Sequence, residues 1–434
     1  MAVTDTLGLP NTKGRRPLII AQVVDALGTG LFLPFAVVYF HAAKGIPLTT
    51  VGLMLSTGAL LSLPAGPLGG RLIDRFGPRG VLVASNLIRV LTFTAYVFTD
   101  TPWQLVLLVT ATLWGDSLFR PAVFALVAQV ADDGHRARWY AMDRSLRNAG
   151  IGAGGLVGST LVGWGGTSGY TAVVALNAVS FLLAAGLVAT WRRTAAPRPA
   201  GDGADQAPAQ AQAPAPAPAP AGDAAQERRG GYREVLADRA FLGVLVTVGV
   251  FALCDLALTL LLSAYVIEAR GLPAWQPGML FAINTVMVVL AQTALAKAVE
   301  RYRRPAVLQV AAVLWMVSFG LFAAVPGDHT GLAFGGLVLG MVVFTVAELL
   351  QAPTSSALIV GMAAEHLRGR YLGSEELMWS LARVLAPTVF TWLLARGAGL
   401  PWLALCLCCL AAIVVLRRLH RVLPAHVQRE TVDA

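Results

Sequence analysis

The sequence has few charged side chains. They make up 13% of its 434 residues, whereas soluble domains average about 25%. Hydrophobic residues account for 56%, and they recur along the whole chain in runs of about 20 residues. A helical run of that length covers the hydrocarbon core of a bilayer. These proportions argue against a soluble globular domain and predict an all-α membrane protein that crosses the bilayer many times.

Cysteine is also scarce. The four cysteines all lie in apolar runs, with no histidine or carboxylate at ligand spacing; they are Cys254, Cys406, Cys408 and Cys409. This pattern predicts neither disulfides nor a metal site. The chain has no Walker-type glycine-rich loop, so nothing in it favours ATP-driven chemistry. We expect no cofactor, no metal and no catalytic residues, and therefore not an enzyme.

Twelve apolar runs are long enough to form transmembrane helices. They lie within 17–40, 50–73, 80–99, 103–127, 139–163, 170–191, 241–267, 275–298, 305–325, 331–356, 371–395 and 399–418. Basic residues cluster in every second connection, so the positive-inside rule places these connections and both termini in the cytoplasm. The net charge of +9 then reflects topology and not a nucleic-acid partner.

The runs divide into two groups of six on either side of a segment of low complexity. Residues 192–238 contain alternating alanine and proline, which cannot build a core and predict a disordered or polyproline-like cytoplasmic linker. The predicted organisation has five parts: an N-terminal cytoplasmic tail at 1–16, a six-helix bundle at 17–191, the linker at 192–238, a second six-helix bundle at 239–418, and a C-terminal cytoplasmic tail at 419–434.

The two groups resemble each other in sequence. Residues 39–55 align without a gap on residues 265–281, and the matching positions include Tyr39 with Tyr265 and Pro47 with Pro273, 226 positions apart (265 − 39). A later block aligns at an offset of 232 (353 − 121). The repeat predicts two bundles of the same orientation, related by an axis along the membrane normal.

Two short motifs carry a resemblance to a known family. GRLIDRFGPR at 70–79 resembles the loop between the second and third spans of the major facilitator superfamily, and Glu300-Arg301 is similar to its degenerate second copy. GIGAGGLVGS at 150–159 resembles the glycine-rich signature of the family's antiporters. The resemblance implies a secondary transporter that works by alternating access between two six-helix bundles.

The first motif implies a cytoplasmic gate. In the resembled fold Asp74 lies against the N-terminus of the eleventh span near Arg370, and Glu300 lies near the start of the fifth span. The predicted gate residues are Gly70, Asp74, Arg75, Gly77, Arg79, Glu300, Arg301, Asp143, Glu375 and Glu376. Glu375 and Glu376 are the expected partners of the loop arginines. The alternative interpretation is that these charges only set the topology.

Acidic residues inside the spans are the candidates for transport chemistry. An ionisable side chain at the middle of a span costs about 2.5–3.5 kcal/mol on insertion scales, so each is a functional candidate. One acid falls on each of the first, fourth, seventh and tenth spans, which in the resembled fold line a central cavity: Asp25, Asp116, Asp255 and Glu348.

These acids differ in their expected partners. Asp116 and Arg120 stand one helical turn apart and are expected to pair, either as a structural bridge or as a substrate contact. Asp25 and Asp255 have no local partner in the sequence, so we expect them, with Glu348, to couple to protons or to contact a cation. Arg89, on the third span, is a buried basic candidate for which a structural role is as well supported as a functional one.

The fifth span carries a stripe of small residues. Gly150, Gly154 and Gly158 recur every four residues and predict close helix packing, against the eighth or tenth span.

Together these features predict proton-coupled efflux, by antiport, of a small organic or drug-like molecule. The expected partners are that substrate, protons and membrane lipids, with no nucleic acid, and the protein is expected to be a monomer spanning the inner (plasma) membrane many times. Two alternatives stay open: an uptake symporter for a small metabolite, and a non-transporting membrane receptor or scaffold with the same fold.

Overall fold

The computed structural model is built from helices. It describes residues 15–130, 136–191, 232–327, 331–364 and 367–428, and no β-strand occurs within these ranges. In chain order the helices are α1 (Arg16–Phe32), α2 (Leu48–Ser62), α3 (Ala65–Phe98), α4 (Pro102–Val130), α5 (Arg136–Thr190), α6 (Tyr232–Ala237), α7 (Arg239–Leu260), α8 (Trp275–Val299), α9 (Arg304–Ala323), α10 (Gly331–Met362), α11 (Arg368–Arg396), α12 (Leu400–Val422) and α13 (Ala425–Gln428). Short 3₁₀, α and π turns continue α1 to Ala43 and α7 to Ala269. The all-helical prediction is confirmed for the described ranges.

Most of these helices have the length and composition of membrane spans. Nine helices of the described ranges are long and apolar enough to cross a bilayer: Arg16–Ala43, Ala65–Phe98, Met142–Thr190, Arg239–Leu260, Trp275–Val299, Arg304–Ala323, Gly331–Met362, Arg368–Arg396 and Leu400–Val422. The apolar helix α2 has 15 residues, and α4 carries Asp116 and Arg120 near its middle. The chain is a multi-pass membrane protein.

Two of the long helices are interrupted by a glycine. In α3 the backbone is non-helical at Gly77, with φ of 74°, and in α5 it is non-helical at Gly166, with φ of 50°. Glycine is the residue that enters this left-handed region without steric cost. Both breaks fall where the sequence predicts a boundary between spans. After the second break the chain packs back on itself, because a Cβ at Gly169 would lie 2.3 Å from the carbonyl oxygen of Leu161.

The predicted repeat is visible in the backbone. A π-helical turn follows α1 at Tyr39–Ala43, and a second follows α7 at Tyr265–Ala269, 226 positions later. Each turn ends before a glycine with positive φ, Gly45 at 66° and Gly271 at 62°. We refer to residues 15–191 as the first half and to residues 232–428 as the second half.

Tertiary contacts repeat with the same spacing. The Tyr39 hydroxyl donates to the carbonyl oxygen of Tyr96 at 3.1 Å, and the Tyr265 hydroxyl donates to the carbonyl oxygen of Phe322. Both acceptors lie 57 positions after their donors. The phenols therefore fasten equivalent helix ends in the two halves.

The cations after the two π turns act in the same way. Lys44 Nζ donates to the carbonyl oxygen of Val97 at 2.9 Å, and Arg270 Nη2 donates to that of Ala323 at 3.1 Å. A positive charge at a helix C-terminus is favoured by the helix dipole. The match of donors and acceptors confirms the internal repeat at the level of single hydrogen bonds.

The two halves meet along a seam of small and apolar side chains. A Cβ at Gly52 of α2 would lie 1.9 Å from Thr391 Oγ1 of α11. Ser56 Oγ accepts from the amide and the hydroxyl of Thr388, at 3.1 and 2.7 Å. A Cβ at Gly278 of α8 would lie 2.1 Å from the hydroxyl of α5's Ser159. We call the end of the molecule where α2 meets α11 and α5 meets α8 the seam.

The predicted glycine stripe packs on α1, and not on the eighth or tenth span. Cβ atoms at Gly150, Gly154 and Gly158 would lie 2.7, 2.1 and 2.6 Å from atoms of α1. Their nearest neighbours are Ala26 and the carbonyl oxygens of Leu27 and Leu31. The face of α5 that meets α8 instead uses the neighbouring positions Gly152, Gly155 and Gly163, which lie near Thr285, Phe281 and Trp275. The stripe thus holds the first half together.

The predicted boundaries of the linker and of the second bundle need correction. Residues 192–231 lie outside the described ranges, but 232–238 are described and are ordered, so the expectation of a linker to 238 is wrong there. Val235 of α6 is buried, and Asp238 accepts from the amide of Phe241 at 3.0 Å as the N-cap of α7. At the other end α12 continues to Val422, four residues beyond the predicted boundary at 418.

Candidate functional site

The most buried acid of the first half is Asp25 on α1. Its Oδ1 accepts a hydrogen bond from Arg89 Nη2 at 2.7 Å, and its Oδ2 lies 3.4 Å from Arg147 Nη1. The side chain is 0% exposed. Asp25 has no partner nearby in the sequence, as expected, but it is not unpaired: the arginines come from α3 and α5, 64 and 122 positions later.

Arg89 is the centre of this cluster. Its guanidinium contacts the side-chain oxygen of Asn86 and Asp116 Oδ1 at 3.4 Å, and it lies 4.5 and 4.1 Å from the ring centres of Phe119 and Phe181. The side chain is 1% exposed. Nearby aromatic rings and carboxylate partners are surroundings that stabilise a buried guanidinium.

Asp116 connects the buried cluster to open space. Its side chain is 50% exposed, while its Oδ1 faces Arg89. The predicted pair with Arg120 does not form, since Asp116 pairs with Arg89 across the α3–α4 interface. Gly115 makes this approach possible, because a Cβ there would lie 2.9 Å from Arg89 Cγ. Arg120 is exposed.

The sequence analysis missed two members of the cluster, Asn86 and Arg147. Asn86 stands one turn before Arg89 in an otherwise apolar span, which is a signal that the sequence does contain. Arg147 likewise follows Asp143 by one turn of α5, and electrostatic attraction links the two side chains. Pairs of polar residues at helical spacing within a span were the available clue.

Asp255 and Glu348 form a second group, in the second half. Glu348 Oε2 accepts from Asn284 Nδ2 at 2.8 Å, and the same amide donates to Thr345 Oγ1 at 3.1 Å. Asp255 on α7 lies near enough for its carboxylate to repel that of Glu348. Within the described ranges neither acid forms an ion pair with a cation. These two carboxyls are half-buried and lack a neutralising partner.

The charges around the space between the halves are unevenly distributed. The first half holds a network of four arginines and three aspartates, of which Asp25 and Arg89 are buried within that half: Arg89, Arg120, Arg144, Arg147, Asp25, Asp116 and Asp143. The second half contributes Asp255, Glu348 and Glu376; Arg144 of the first half attracts Glu348, and Glu376 attracts Arg120. Carboxylates of the second half thus attract arginines of the first half.

The predicted gate residues are not brought together. Asp74, Arg75, Glu300 and Arg301 are exposed, and no ion pair of the described ranges includes Asp74 or Glu300. The loop arginines stack instead on the ring that follows each of them, Arg75 on Phe76 at 5.3 Å and Arg301 on Tyr302 at 4.9 Å. Gly70 has no neighbour within 4 Å of its Cβ direction, so it makes no close approach here.

Other gate residues form contacts within the half of the protein to which they belong. Arg79 Nε donates to the carbonyl oxygen of Val188 at 3.1 Å and so fastens the loop to the end of α5. Glu376 pairs with Arg383 on the same helix, and not with a loop arginine as predicted. Arg370 at the start of α11 has a buried Nη1 without a hydrogen-bond partner in the described ranges. The two halves are therefore in contact at the seam, whereas at the end that carries the predicted gate residues (the gate end) Asp74 and Glu300 are exposed.

Comparisons with known proteins agree with this architecture. Residues 18–297 match the sequence profile of the Major Facilitator Superfamily. The chain is 26% identical over 402 residues to multidrug resistance protein MdtH of Yersinia enterocolitica, with 90% of each chain covered. It is 25% identical over 400 residues to MdtH of Cronobacter sakazakii, with the same coverage.

Solved structures show the same fold at low identity. A mutant of the nucleoside transporter NupG superposes with a TM-score of 0.75 at 12% identity, covering 94% of this chain and 99% of that one. A mutant of the peptide transporter POT superposes with a TM-score of 0.71 at 15% identity, covering 96% and 98%. With its repeated halves, its apolar helices and this match over most of its length, the chain belongs to the Major Facilitator Superfamily of membrane transporters.

Proposed function

We propose that the protein is a twelve-span transporter with both termini in the cytoplasm. In the first half, α2 and the part of α3 before Gly77 form one span, and the rest of α3 forms the next. The helix α5 forms two spans, divided at Gly166. With α1 and α4 this gives six spans, and the second half has six in α7 to α12. The basic connections then share one side of the membrane, as the positive-inside rule requires. The proposed site is the inner (plasma) membrane, with the protein a monomer surrounded by lipid.

In this orientation the seam faces outward and the gate end faces the cytoplasm. The structure is then the inward-open state, in which the outer ends of the halves are in contact and the gate residues are separated. A transporter that works by alternating access has at most one end open at a time, and in the inward-open state its cytoplasmic end is open, which accounts for the exposed Asp74 and Glu300. We propose that in the outward-open state Asp74 closes on the N-terminus of α11, where Arg370 has an unused donor.

The transport activity that we propose is proton-coupled efflux of a small organic molecule bearing a basic group. One observation carries this proposal: Asp255 and Glu348 are two neighbouring acids at the depth of the bilayer without a cation partner of their own. A proton on one of them removes their mutual repulsion, and so does a positively charged substrate. Because the two occupants neutralise the same charge, they compete, and competition at one site is the basis of exchange.

The first half has a complementary role in this scheme. Asp116 and Arg120 line the opposite wall, and Asp25 acts on the cavity through Arg89, which it holds against Asp116. Proton entry down a membrane potential supplies about 2.3 kcal/mol per 100 mV for each charge moved. That free energy is sufficient for modest accumulation of substrate on the outer side.

Uptake by symport is the second candidate. The solved relatives are described as nucleoside and peptide transporters, whereas the sequence relatives are described as multidrug resistance proteins. The sequence relatives match over 90% of both chains at higher identity, which favours efflux. A scaffold without transport has no use for two unpaired acids in a membrane, so this third reading has the least support.

A binding experiment on the purified protein tests the proposed site. Lipophilic cations, lipophilic anions and neutral analogues of similar size are titrated at several pH values, while proton release is followed with a pH indicator. Competition predicts that cations bind more tightly as the pH rises and release protons when they bind. Preferential binding of anions, or cation binding without proton release, would contradict a shared carboxyl site.

A further inference from the structure

Within the part of the chain that the structure describes, one ion pair crosses the seam. His41 Nε2 of the first half lies 3.9 Å from Glu268 Oε2 of the second half, and the two side chains are 34% and 25% exposed. Each other ion pair recorded in the described ranges joins two residues of one half. The remaining seam contacts reported above involve glycine, serine, threonine and aromatic side chains, which carry no charge. Electrostatic control of the seam is therefore expected to act through His41 and Glu268.

The histidine is oriented by its own backbone. His41 Nδ1 lies 2.7 Å from the carbonyl oxygen of Ile46. A carbonyl oxygen only accepts, so we assign the hydrogen of the neutral ring to Nδ1. The neutral ring then has a lone pair on Nε2, 3.9 Å from the carboxylate oxygen of Glu268, whereas the protonated ring has an N–H and a positive charge there. Protonation thus changes this contact from repulsive to attractive.

The neighbouring charged and titratable groups are engaged elsewhere. Lys44 binds Asp100 and the carbonyl oxygen of Val97. Arg270 donates from Nε to the Tyr265 hydroxyl and from Nη2 to a carbonyl oxygen of α9. From α5 the phenol of Tyr170 lies close enough to Glu268 to interact with it electrostatically, and a phenol is neutral in the range in which histidine titrates.

We propose that His41 and Glu268 form a proton-sensitive latch on the outer face of the transporter. A proton taken up by His41 from the outer aqueous phase strengthens the seam and favours the inward-open state. The latch rests on the proposed orientation and alternating access, but it is distinct from the carboxyls of the cavity. It links the acidity of the outer medium directly to the conformational equilibrium.

The latch has a defined pH window. The attraction requires the imidazole proton, so it is lost when the ring is deprotonated, and the test covers the range in which histidine side chains in general change their charge, about pH 5 to 8. Burial raises the pKa of Glu268 above its usual range, and the nearby His41 opposes this effect. The attraction is lost again once Glu268 is protonated at lower pH. The seam is therefore expected to be strongest in mildly acidic solution.

Distances across the seam test the latch. Spin labels are placed at Thr49→Cys and Ala395→Cys, both exposed positions near the seam, in protein whose four cysteines are replaced by alanine. Distances are recorded in proteoliposomes as the pH falls from about 8 to about 6. We expect the short-distance population to rise about two- to five-fold, the effect of a partly exposed ion pair.

Variants of the pair decide the outcome. His41→Gln and Glu268→Gln are each expected to abolish the pH dependence of the seam distance, and His41→Lys is expected to hold the seam closed throughout the range. A pH shift that survives in both glutamine variants would overturn the latch, as would a seam in the parent protein that ignores pH.

A cavity variant separates the latch from the proposed function. In the Glu348→Gln background the pH response of the seam is expected to persist, and its disappearance there would assign the response to the cavity and overturn the latch. Failure of the proposed function has a different readout, which is the absence of proton-coupled transport by the reconstituted parent protein.

Discussion

Asp25 on α1 and Arg89 on α3 form an ion pair of 2.7 Å in which neither side chain is more than 1% exposed. Burial of two charges is costly, and the attraction compensates only when further hydrogen bonds satisfy both groups. Arg147 supplies a second contact to Asp25, and Asn86 and Asp116 supply contacts to Arg89, whose buried Nε has no hydrogen-bond partner in the described ranges. The pair fixes how three helices of the first half meet, and through Asp116 it reaches the space between the halves.

Loss of the arginine is expected to destabilise the protein. Arg89→Met leaves Asp25 buried without its closest partner and should lower the free energy of unfolding by about 3–5 kcal/mol. The double variant Asp25→Leu/Arg89→Met removes both charges and should recover a large part of the loss. Chemical unfolding in detergent measures both, and equal stability of Arg89→Met and the parent would show that the pair contributes nothing to the fold.

The glycine stripe offers a matched pair of substitutions. In Gly154→Ala the new Cβ lies 2.1 Å from the carbonyl oxygen of Leu27, which is backbone and cannot rotate away, so α1 and α5 must separate. At Gly186, inside the same helix, a Cβ meets nothing within 4 Å.

We expect Gly154→Ala to lower the thermal unfolding midpoint clearly. Gly186→Ala should leave it unchanged or raise it, since alanine is favoured over glycine in a helix interior by about 0.5–1 kcal/mol. Similar midpoints for the two variants would be inconsistent with packing of the stripe against α1.

The seam face of α5 is expected to behave differently. A Cβ at Gly152 would lie 2.7 Å from the side chain of Thr285 on α8, across the two halves. Gly152→Ala should therefore disfavour contact between the halves and shift the protein toward the state open at the seam, with little effect on unfolding. Adding Thr285→Gly to the Gly152→Ala variant should restore the original equilibrium, because it removes the side chain that the new Cβ meets. Labelling rates of a seam cysteine report the shift, and an unrescued or absent shift would argue against this contact.

Substitution of a gate residue is expected to shift the equilibrium in the opposite direction, toward the inward-open state. Asp74→Asn weakens the proposed contact with the N-terminus of α11 and should raise the inward-open population about two- to five-fold, the range of a single charge at a helix terminus. Stability should not change, because Asp74 is exposed in the state described here. Glu234→Gln, an exposed acid of α6, is the control. Equal accessibility of cysteines at the gate end in Asp74→Asn and Glu234→Gln would contradict the proposed role of Asp74 in the gate.

How far the sequence predicted this structure depends on the distance between contacting residues. Apolar runs and the 226-residue offset between Tyr39 and Tyr265 predict the helices and the repeat, because both are local patterns. Helix interruptions at Gly77 and Gly166 follow from residues that tolerate positive φ. The helices and their interruptions depend on short stretches of sequence, and the repeat is visible because one stretch of sequence resembles another.

The sequence did not predict which charged side chains form ion pairs. Asp116 has Arg120 at ideal helical spacing, yet it pairs with Arg89, because helix packing rotates that arginine into the interface and leaves Arg120 exposed. Likewise the gate motif predicts contacts that belong to another conformational state. Sequence identifies which side chains are unusual, whereas packing and the state of the molecule decide which of them meet.

Transport by reconstituted protein tests the central claim, which is that Asp255 and Glu348 exchange a proton for substrate. Inside-out vesicles with an imposed proton gradient are given a lipophilic cation identified by the binding experiment, and substrate and proton fluxes are recorded together. The account predicts substrate-induced proton movement in the parent protein and in Glu234→Gln, and its loss in Asp255→Asn and Glu348→Gln while both variants remain folded. Undiminished proton-coupled flux in both cavity variants would contradict it.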